Sequence, residues 1–173
     1  MTTSATLRDV TLAFLVKHTA KGEITHVYLA MKKRGFGAGR WNGTGGKVEE
    51  QKGESVAAAF IREAQQEHGI VLQKTMPVGT IDFYFPDNPK WNQRVYIRLV
   101  ESWSGELRDS EEMGVPQEFP KNGLPLEAMW SGDKLWLPQV LEGQSVTGEI
   151  FFGENDNVLK SDLRFSELAE PVL

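Results

Sequence analysis

The 173-residue sequence contains no cysteine, no long apolar run and no extended block of basic residues. Without cysteine the chain forms neither disulfides nor thiolate metal sites, which is typical of the reducing cytoplasm. The N-terminal segment MTTSATLRDV is not apolar, so we expect neither a signal peptide nor a membrane span. A net charge of −5 without a lysine and arginine cluster also argues against a nucleic-acid polymer as partner.

Length and composition are those of one ordinary globular domain. The chain is 40% hydrophobic, so we expect residues 1–173 to form a single domain with a substantial core. Strand patterns occur at residues 10–16, 26–31, 80–85, 93–101 and 148–153, and helical patterns at 54–68, 126–130 and 135–142. Strands and helices mixed in this order predict an α+β fold, in which a mixed β-sheet has helices on both sides.

Residues 54–68 carry the clearest helical pattern, and Gly69 is placed to end the helix. The face that this pattern predicts for burial, at spacings of three and four, consists of Ala57, Phe60, Ile61, Ala64 and His68. The glycine-rich residues 32–46 and the proline-rich residues 116–125 are expected to be loops. Lys47 and Val48 are expected to form a short strand.

Two acidic residues, Glu63 and Glu67, lie four positions apart and therefore share one face of the predicted helix. Like charges at that spacing repel each other, whereas a bound divalent cation would make the arrangement favourable. Carboxylate oxygens are the ligands that Mg²⁺ and Mn²⁺ prefer. A loop containing Gly45 and Gly46 precedes the helix, and the combination predicts a metal site.

The segment GGKVEEQKGESVAAAFIREAQQEHGI resembles the Nudix box, the metal-binding loop and helix of hydrolases that cleave nucleoside diphosphates linked to another group. Seven residues separate Glu54 from Arg62, as in that family. The matching positions in the helix are Arg62, Glu63, Glu67, Gly69 and Ile70.

The segment also departs from the family pattern. Seven residues instead of five separate Gly46 from Glu54, and Ala64 stands where a larger aliphatic residue is usual. Gln66 replaces the first glutamate of the family's Glu-Glu pair. A neutral amide cannot act as a base, so this replacement predicts weaker affinity for the metal.

A second patch, KKRGFGAGRWNG from Lys32 to Gly43, is similar to a branch of that family, the animal MutT-type purine nucleoside triphosphatases, which act on oxidised nucleotides such as 8-oxo-dGTP and 2-hydroxy-dATP. Further similarity at residues 110–113, 129–138 and 148–152 extends the resemblance over roughly residues 8–160. It implies a small nucleotide as substrate, a monomeric enzyme, and hydrolysis of a purine nucleoside triphosphate to the monophosphate and pyrophosphate.

The resemblance also implies roles for residues around the metal. Glu63, Glu67, Glu112 and the carbonyl of Gly45 are implied to bind Mg²⁺, or Mn²⁺ in its place. Glu63 or Glu67 is implied to assist the attacking water, and the sequence does not separate the base from the ligand. Lys47 would bind a phosphate. Arg62 and Glu54 would pair with each other and orient the helix.

The base pocket implied by the resemblance comprises Thr11, Lys32, Phe36, Asn42, Phe83, Trp130 and Asp133. Trp130 and Phe36 offer flat faces to a purine, and Asn42 offers both a donor and an acceptor. The animal enzymes carry two adjacent aspartates after the tryptophan, whereas this chain has Gly132 before Asp133. One acidic base-reading group is therefore missing, which is enough to change the preferred purine.

Two other functions remain open at the level of sequence. The first is a Nudix hydrolase of another nucleotide, such as a dinucleoside polyphosphate, ADP-ribose or a methylated purine nucleoside triphosphate. The second is a non-catalytic module that binds nucleotide or RNA, toward which Gln66 points. Retention of Arg62, Glu63 and Glu67 favours an enzyme, because a binding module has no need of a metal-binding face.

Overall fold

The computed structural model describes residues 6–168, which are organised around one mixed β-sheet. Its strands are β1 Arg8–His18, β2 Ile24–Met31, β3 Trp41–Asn42, β4 Val71–Tyr84, β5 Gln93–Ser104, β6 Gln117–Pro120, β7 Gln144–Phe152 and β8 Val158–Glu167. The order is β3-β2-β1-β5-β4-β7-β8, with β6 also paired to β2. The β1–β5 and β4–β7 pairs are parallel and the other pairs antiparallel.

Helices lie on both faces of this sheet, as predicted. Helix α1 spans Val56–His68 and helix α2 spans Leu137–Leu141. Because side chains alternate along a strand, β1 contributes to both layers. Phe14 packs in the larger core cluster with Leu137 of α2, whereas Leu15 packs in the smaller cluster with Phe60 of α1. The α+β fold predicted from the sequence is therefore confirmed.

Helix α1 has the ends that its sequence favours. Ser55 caps the N-terminus by accepting a hydrogen bond from the Ala58 amide at 3.1 Å. Gly69 ends the helix with φ at 69°, a left-handed conformation that glycine adopts without strain. The helix thus begins two residues later than predicted, since Glu54 lies before the cap.

The buried face of α1 differs from the predicted one. It consists of Ala59, Phe60, Ala64, Glu67 and His68. Ala57 is exposed and Ile61 is 52% exposed, so the prediction of burial was wrong at both positions. The helix is rotated so that its buried edge includes the carboxylate of Glu67, which hydrophobic spacing alone does not indicate.

Several other segments differ from the sequence-based prediction. Lys47 forms an isolated bridge with Val10 rather than a strand with Val48. The proline-rich loop contains β6, the glycine-rich loop contains β3, and the segment 126–130 forms only a 3₁₀ turn at Leu126–Ala128. Strand β8 and the first half of β4 were not predicted. No helix among residues 6–168 has the length and apolarity needed to cross a membrane.

Candidate active site

The glycine loop of the box is held against strand β1 by backbone hydrogen bonds. The Thr11 amide donates to the Gly46 carbonyl at 2.8 Å, and the Ala13 amide donates to the Thr44 carbonyl at 2.7 Å. A Cβ atom on Gly45 would lie 1.9 Å from the Thr11 carbonyl oxygen. Only glycine permits this approach, so the sequence fixes how closely the loop meets the sheet.

The other side of the loop meets helix α1. A Cβ atom on Gly46 would lie 2.5 Å from Oε1 of Glu63, so the missing side chain leaves room for that carboxylate. The Gly45 amide donates a hydrogen bond to Oε2 of Glu67 at 3.3 Å. Glycine at 45 and 46 therefore brings both helix carboxylates against the loop backbone.

Glu67 carries the most strongly perturbed carboxylate near the loop. It is buried, with 4% of its surface exposed. Burial, and to a smaller extent the nearby negative charge of Glu63, together raise its pKa to about 8, while Lys32 opposes the shift. In the absence of a cation, Glu67 is therefore largely protonated at neutral pH.

Arg62 connects the helix to the segment before it. Its Nε donates to Oε2 of Glu54 at 2.7 Å and its Nη2 to Oε1 of the same carboxylate at 3.0 Å. The guanidinium also donates to the carbonyl of Lys47 at 3.0 Å and to Oε1 of Glu63 at 2.9 Å. Hydrogen bonding from Arg62 lowers the pKa of Glu54 to about 2, so this carboxylate stays ionised.

Gln66 lies one turn further along α1 from Arg62. Its Oε1 accepts a hydrogen bond from Nη1 of Arg62 at 3.0 Å, and the residue is exposed. The same Nη1 donates to Glu63. Gln66 and Glu63, a predicted metal ligand, thus accept hydrogen bonds from the same nitrogen of Arg62.

Glu112 lies in a partly exposed ion-pair group with two basic residues. Nζ of Lys32 is 3.3 Å from Oε2 of Glu112, and Nε of Arg34 donates to Oε1 at 2.8 Å. The hydrogen bond from Arg34 lowers the pKa of Glu112. Sequence reasoning did not select Arg34, although it belongs to the basic run Lys32-Lys33-Arg34.

The donor set at the loop is suited to a hard divalent cation. Glu63 and Glu67 supply carboxylate oxygens, and the raised pKa of Glu67 shows that this position disfavours uncompensated negative charge. Within residues 6–168, no three acidic or histidine side chains are already gathered in a metal-binding cluster. To bind a metal, Glu112 would have to give up its ion pair with Arg34. Lys47 is exposed and lies next to the loop.

The aromatic residues of the predicted base pocket pack against one another. The ring of Phe36 lies 4.9 Å from that of Trp130, tilted by 31°. Phe36 is 38% exposed, whereas Trp130 is 7% exposed. Phe83, at 8% exposure, belongs to the core and reaches this group through Phe152, whose ring is 5.3 Å away. Phe36 is therefore the accessible face of the group.

Two predicted base-contacting residues are engaged in local hydrogen bonds. The hydroxyl of Thr11 is paired with the Gly46 backbone at 3.3 Å, and the residue is 1% exposed. Oδ1 of Asn42 accepts from the Gly43 amide at 2.8 Å. Both side chains support the backbone of the glycine-rich segment in this structure.

Asp133 is a buried carboxylate with 3% exposure, and its Oδ2 has no hydrogen-bond partner among the described residues. Burial raises its pKa to about 7. Its backbone amide donates to the Trp130 carbonyl at 3.0 Å, which closes a turn that begins at that tryptophan. A carboxyl that is half protonated near neutral pH can donate to a base edge or accept from it.

The profile of the NUDIX domain matches residues 8–140, which include the glycine loop, α1 and Glu112. The chain belongs to the Nudix family. As a Nudix hydrolase, it has the enzyme class that the box predicted, and the alternative of a non-catalytic module is set aside.

Similar proteins agree with this assignment. The chain is 39% identical over 138 residues to the oxidized purine nucleoside triphosphate hydrolase of Mus musculus, covering 80% of this chain and 86% of that protein. It is 38% identical over 137 residues to the protein of the same name from Danio rerio, covering 79% and 85%. The crystal structure of a MutT protein from Bacillus halodurans superposes with a TM-score of 0.72 at 26% identity, covering 92% of this chain and 98% of that one.

Proposed function

We propose that this Nudix hydrolase converts oxidised or otherwise modified purine nucleoside triphosphates to the monophosphate and pyrophosphate in the presence of Mg²⁺ or Mn²⁺. Such a reaction removes damaged nucleotides from the precursor pool. The observation that carries the proposal is the buried carboxylate of Glu67, held beside Glu63 by the amide of Gly45. The mouse and zebrafish relatives supply the substrate class.

The proposed chemistry uses two metal-binding carboxylates of the box and two further groups that orient them. A divalent cation bound to Glu63 and Glu67 would offset negative charge on the phosphate oxygens. The guanidinium of Arg62 orients Glu63, and the Gly45 amide orients Glu67. One of these two carboxylates takes the proton of the attacking water.

Phosphate binding is proposed for the positive charges next to the loop. Lys47 is exposed immediately after Gly46, and Lys32 lies beside Glu112. These ammonium groups are flexible point charges that can bind phosphate oxygens. By analogy with the MutT-type enzymes, we propose that the protein acts as a monomer on a small nucleotide.

Base recognition is proposed for Phe36, Trp130 and Asp133. The exposed face of Phe36 provides stacking area, and Asp133 offers a carboxyl that either donates or accepts. Glycine at 132 removes the second acidic group that the animal enzymes carry. Because one acidic base contact is missing, methylated purine nucleoside triphosphates are a second candidate substrate class beside 8-oxo-dGTP.

Product analysis with a nucleotide panel tests this proposal. The panel contains dGTP, 8-oxo-dGTP, 2-hydroxy-dATP, an N-methylated purine triphosphate, ADP-ribose and a dinucleoside polyphosphate, each with Mg²⁺ and with a chelator. We expect pyrophosphate from modified purine triphosphates, with rates that exceed those for dGTP and vanish in chelator. Turnover confined to ADP-ribose or the dinucleoside polyphosphate would contradict the proposed substrate class.

A further inference from the structure

Arg40 lies over the indole of Trp130. Its Cζ atom is 4.2 Å from the ring centroid, which is within the range of a cation–π contact. Trp130 is 7% exposed, so the guanidinium covers a ring that is already largely enclosed. The sequence-based site did not include Arg40, although it belongs to the patch Lys32–Gly43.

The guanidinium is held in place from a distant part of the chain. Nη2 of Arg40 donates to Oδ2 of Asp156 at 3.1 Å, and both side chains are mostly buried, at 28% and 27% exposure. This partial burial makes the pair less subject to screening by salt than an exposed one. Asp156 lies in the 3₁₀ turn Glu154–Asp156, which joins β7 to β8.

That turn has an unusual backbone. Asn155 and Asp156 are consecutive non-glycine residues with φ values of 57° and 58°. Left-handed conformations of this kind cost free energy unless surrounding contacts hold them. The Asp156 amide donates to the Gly153 carbonyl at 3.1 Å, and the Ser131 hydroxyl donates to the Asp156 carbonyl. Ser131 directly follows Trp130, so the turn is attached to the tryptophan both through Arg40 and through Ser131.

We propose that Arg40 is a positioning residue for base recognition, because its ion pair with Asp156 fixes the guanidinium over Trp130 and thereby fixes the plane of the indole. The inference rests on the proposed function in taking Trp130 as part of the purine site. Arg40 donates to none of the predicted metal ligands Glu63, Glu67 and Glu112 in the described hydrogen bonds. Its loss should therefore weaken binding of the base and leave hydrolysis at the phosphates intact.

The test compares Arg40→Met, Arg40→Lys and Asp156→Asn with wild type. Arg98→Met is the matched control, because the Arg98 guanidinium lies 4.6 Å from the Phe60 ring centroid, outside the proposed purine site. For the best substrate of the panel, we expect Arg40→Met to raise KM about tenfold with kcat within about twofold. Asp156→Asn, which keeps the arginine, should raise KM about threefold, and Arg40→Lys should fall between wild type and Arg40→Met.

Inhibition by inorganic tripolyphosphate separates base from phosphate binding. The inhibition constant for tripolyphosphate should be the same in Arg40→Met as in wild type, because the variant leaves the proposed phosphate-binding residues intact. Equal loss of nucleotide and tripolyphosphate binding, an unchanged KM in both Arg40→Met and Asp156→Asn, or a similar rise in Arg98→Met would overturn the assignment. If Arg40→Met does not fold, Asp156→Asn decides the result.

A binding measurement distinguishes failure of this inference from failure of the proposed function. Titration with 8-oxo-dGMP, followed by tryptophan fluorescence, reports base binding without turnover. Tighter binding to wild type than to Arg40→Met supports the role of Arg40 even if no triphosphate is hydrolysed. Equal binding to both proteins, or no binding to wild type, contradicts it.

Discussion

Arg62 donates two hydrogen bonds to a single carboxylate, that of Glu54, at 2.7 and 3.0 Å. The same guanidinium donates to the backbone of Lys47 and to Glu63. It therefore links the segment before α1, the glycine loop and a proposed metal ligand. No other side chain type can make these contacts together, because only arginine presents a planar set of five donors.

Arg62→Lys should lower kcat by about 10- to 100-fold, since lysine keeps the charge but cannot orient Glu63 while binding Glu54. Steady-state kinetics and thermal unfolding of the same preparation measure the effect. Arg94→Lys is the matched control, because Arg94 makes a similar two-bond contact with Asp82 at 2.9 and 3.1 Å away from the box. A kcat within twofold of wild type would show that Arg62 does not orient the site.

Metal binding should release a proton from Glu67. Because its pKa is raised to about 8, the carboxyl is mostly protonated at pH 7, and a cation binds only the ionised form. Calorimetric Mg²⁺ titrations at pH 7 in buffers of different ionisation enthalpy should show release of a substantial fraction of one proton. The affinity of the protein for Mg²⁺ should rise as pH increases toward about 8. A binding enthalpy that is independent of the buffer contradicts this role for Glu67.

Sequence reasoning identified the strands and the helix whose apolar patterns are strong, and it missed elements whose position depends on partners. Strand β8 has mostly exposed residues, four of its ten are charged, and it pairs only with β7 within the described sheet, so its apolar signal is weak. Strand β6 lies in a proline-rich segment and exists because it pairs with β2. Edge strands of this kind are defined by long-range pairing.

The geometry around the predicted site residues was readable from the sequence only where it follows from local structure. The spacing of Glu63 and Glu67 follows from helix geometry, so their shared face was readable from the sequence. The burial of Glu67 depends instead on how closely Gly45 approaches the helix. The engagement of Thr11 with Gly46 and of Arg40 with Asp156 joins residues far apart in the chain, and no local pattern encodes such contacts.

Asp133→Asn should change how stability depends on pH. The folded-state pKa of Asp133 is raised from 3.8 to about 7, so between these values the folded protein binds more protons than the unfolded one. The free energy of unfolding therefore falls as pH rises through that range, and an asparagine removes this dependence. Thermal unfolding of the two proteins across this range measures the difference. The exposed Asp162→Asn serves as control, and parallel wild-type and Asp133→Asn curves would contradict the burial effect.

Gly132→Asp tests whether the missing acidic group sets the purine preference. A Cβ atom at position 132 would lie 3.1 Å from Cδ1 of Ile150 and 3.2 Å from Cζ of Phe152, so some crowding is unavoidable. Gly132→Ala reports that crowding alone. We expect the ratio of kcat/KM for 8-oxo-dGTP over dGTP to be about tenfold higher in Gly132→Asp than in Gly132→Ala. An equal ratio in both variants would show that position 132 does not read the base.

The most direct test of metal-dependent hydrolysis at the box is pyrophosphate release from 8-oxo-dGTP in saturating Mg²⁺ by wild type, Glu67→Gln and the exposed control Glu149→Gln. Glutamine keeps the shape of residue 67 but can neither ionise nor accept a proton. We expect Glu149→Gln to match wild type and Glu67→Gln to lose at least about 100-fold in kcat. Pyrophosphate release by Glu67→Gln at the wild-type rate would contradict the assignment of the buried carboxylate to catalysis.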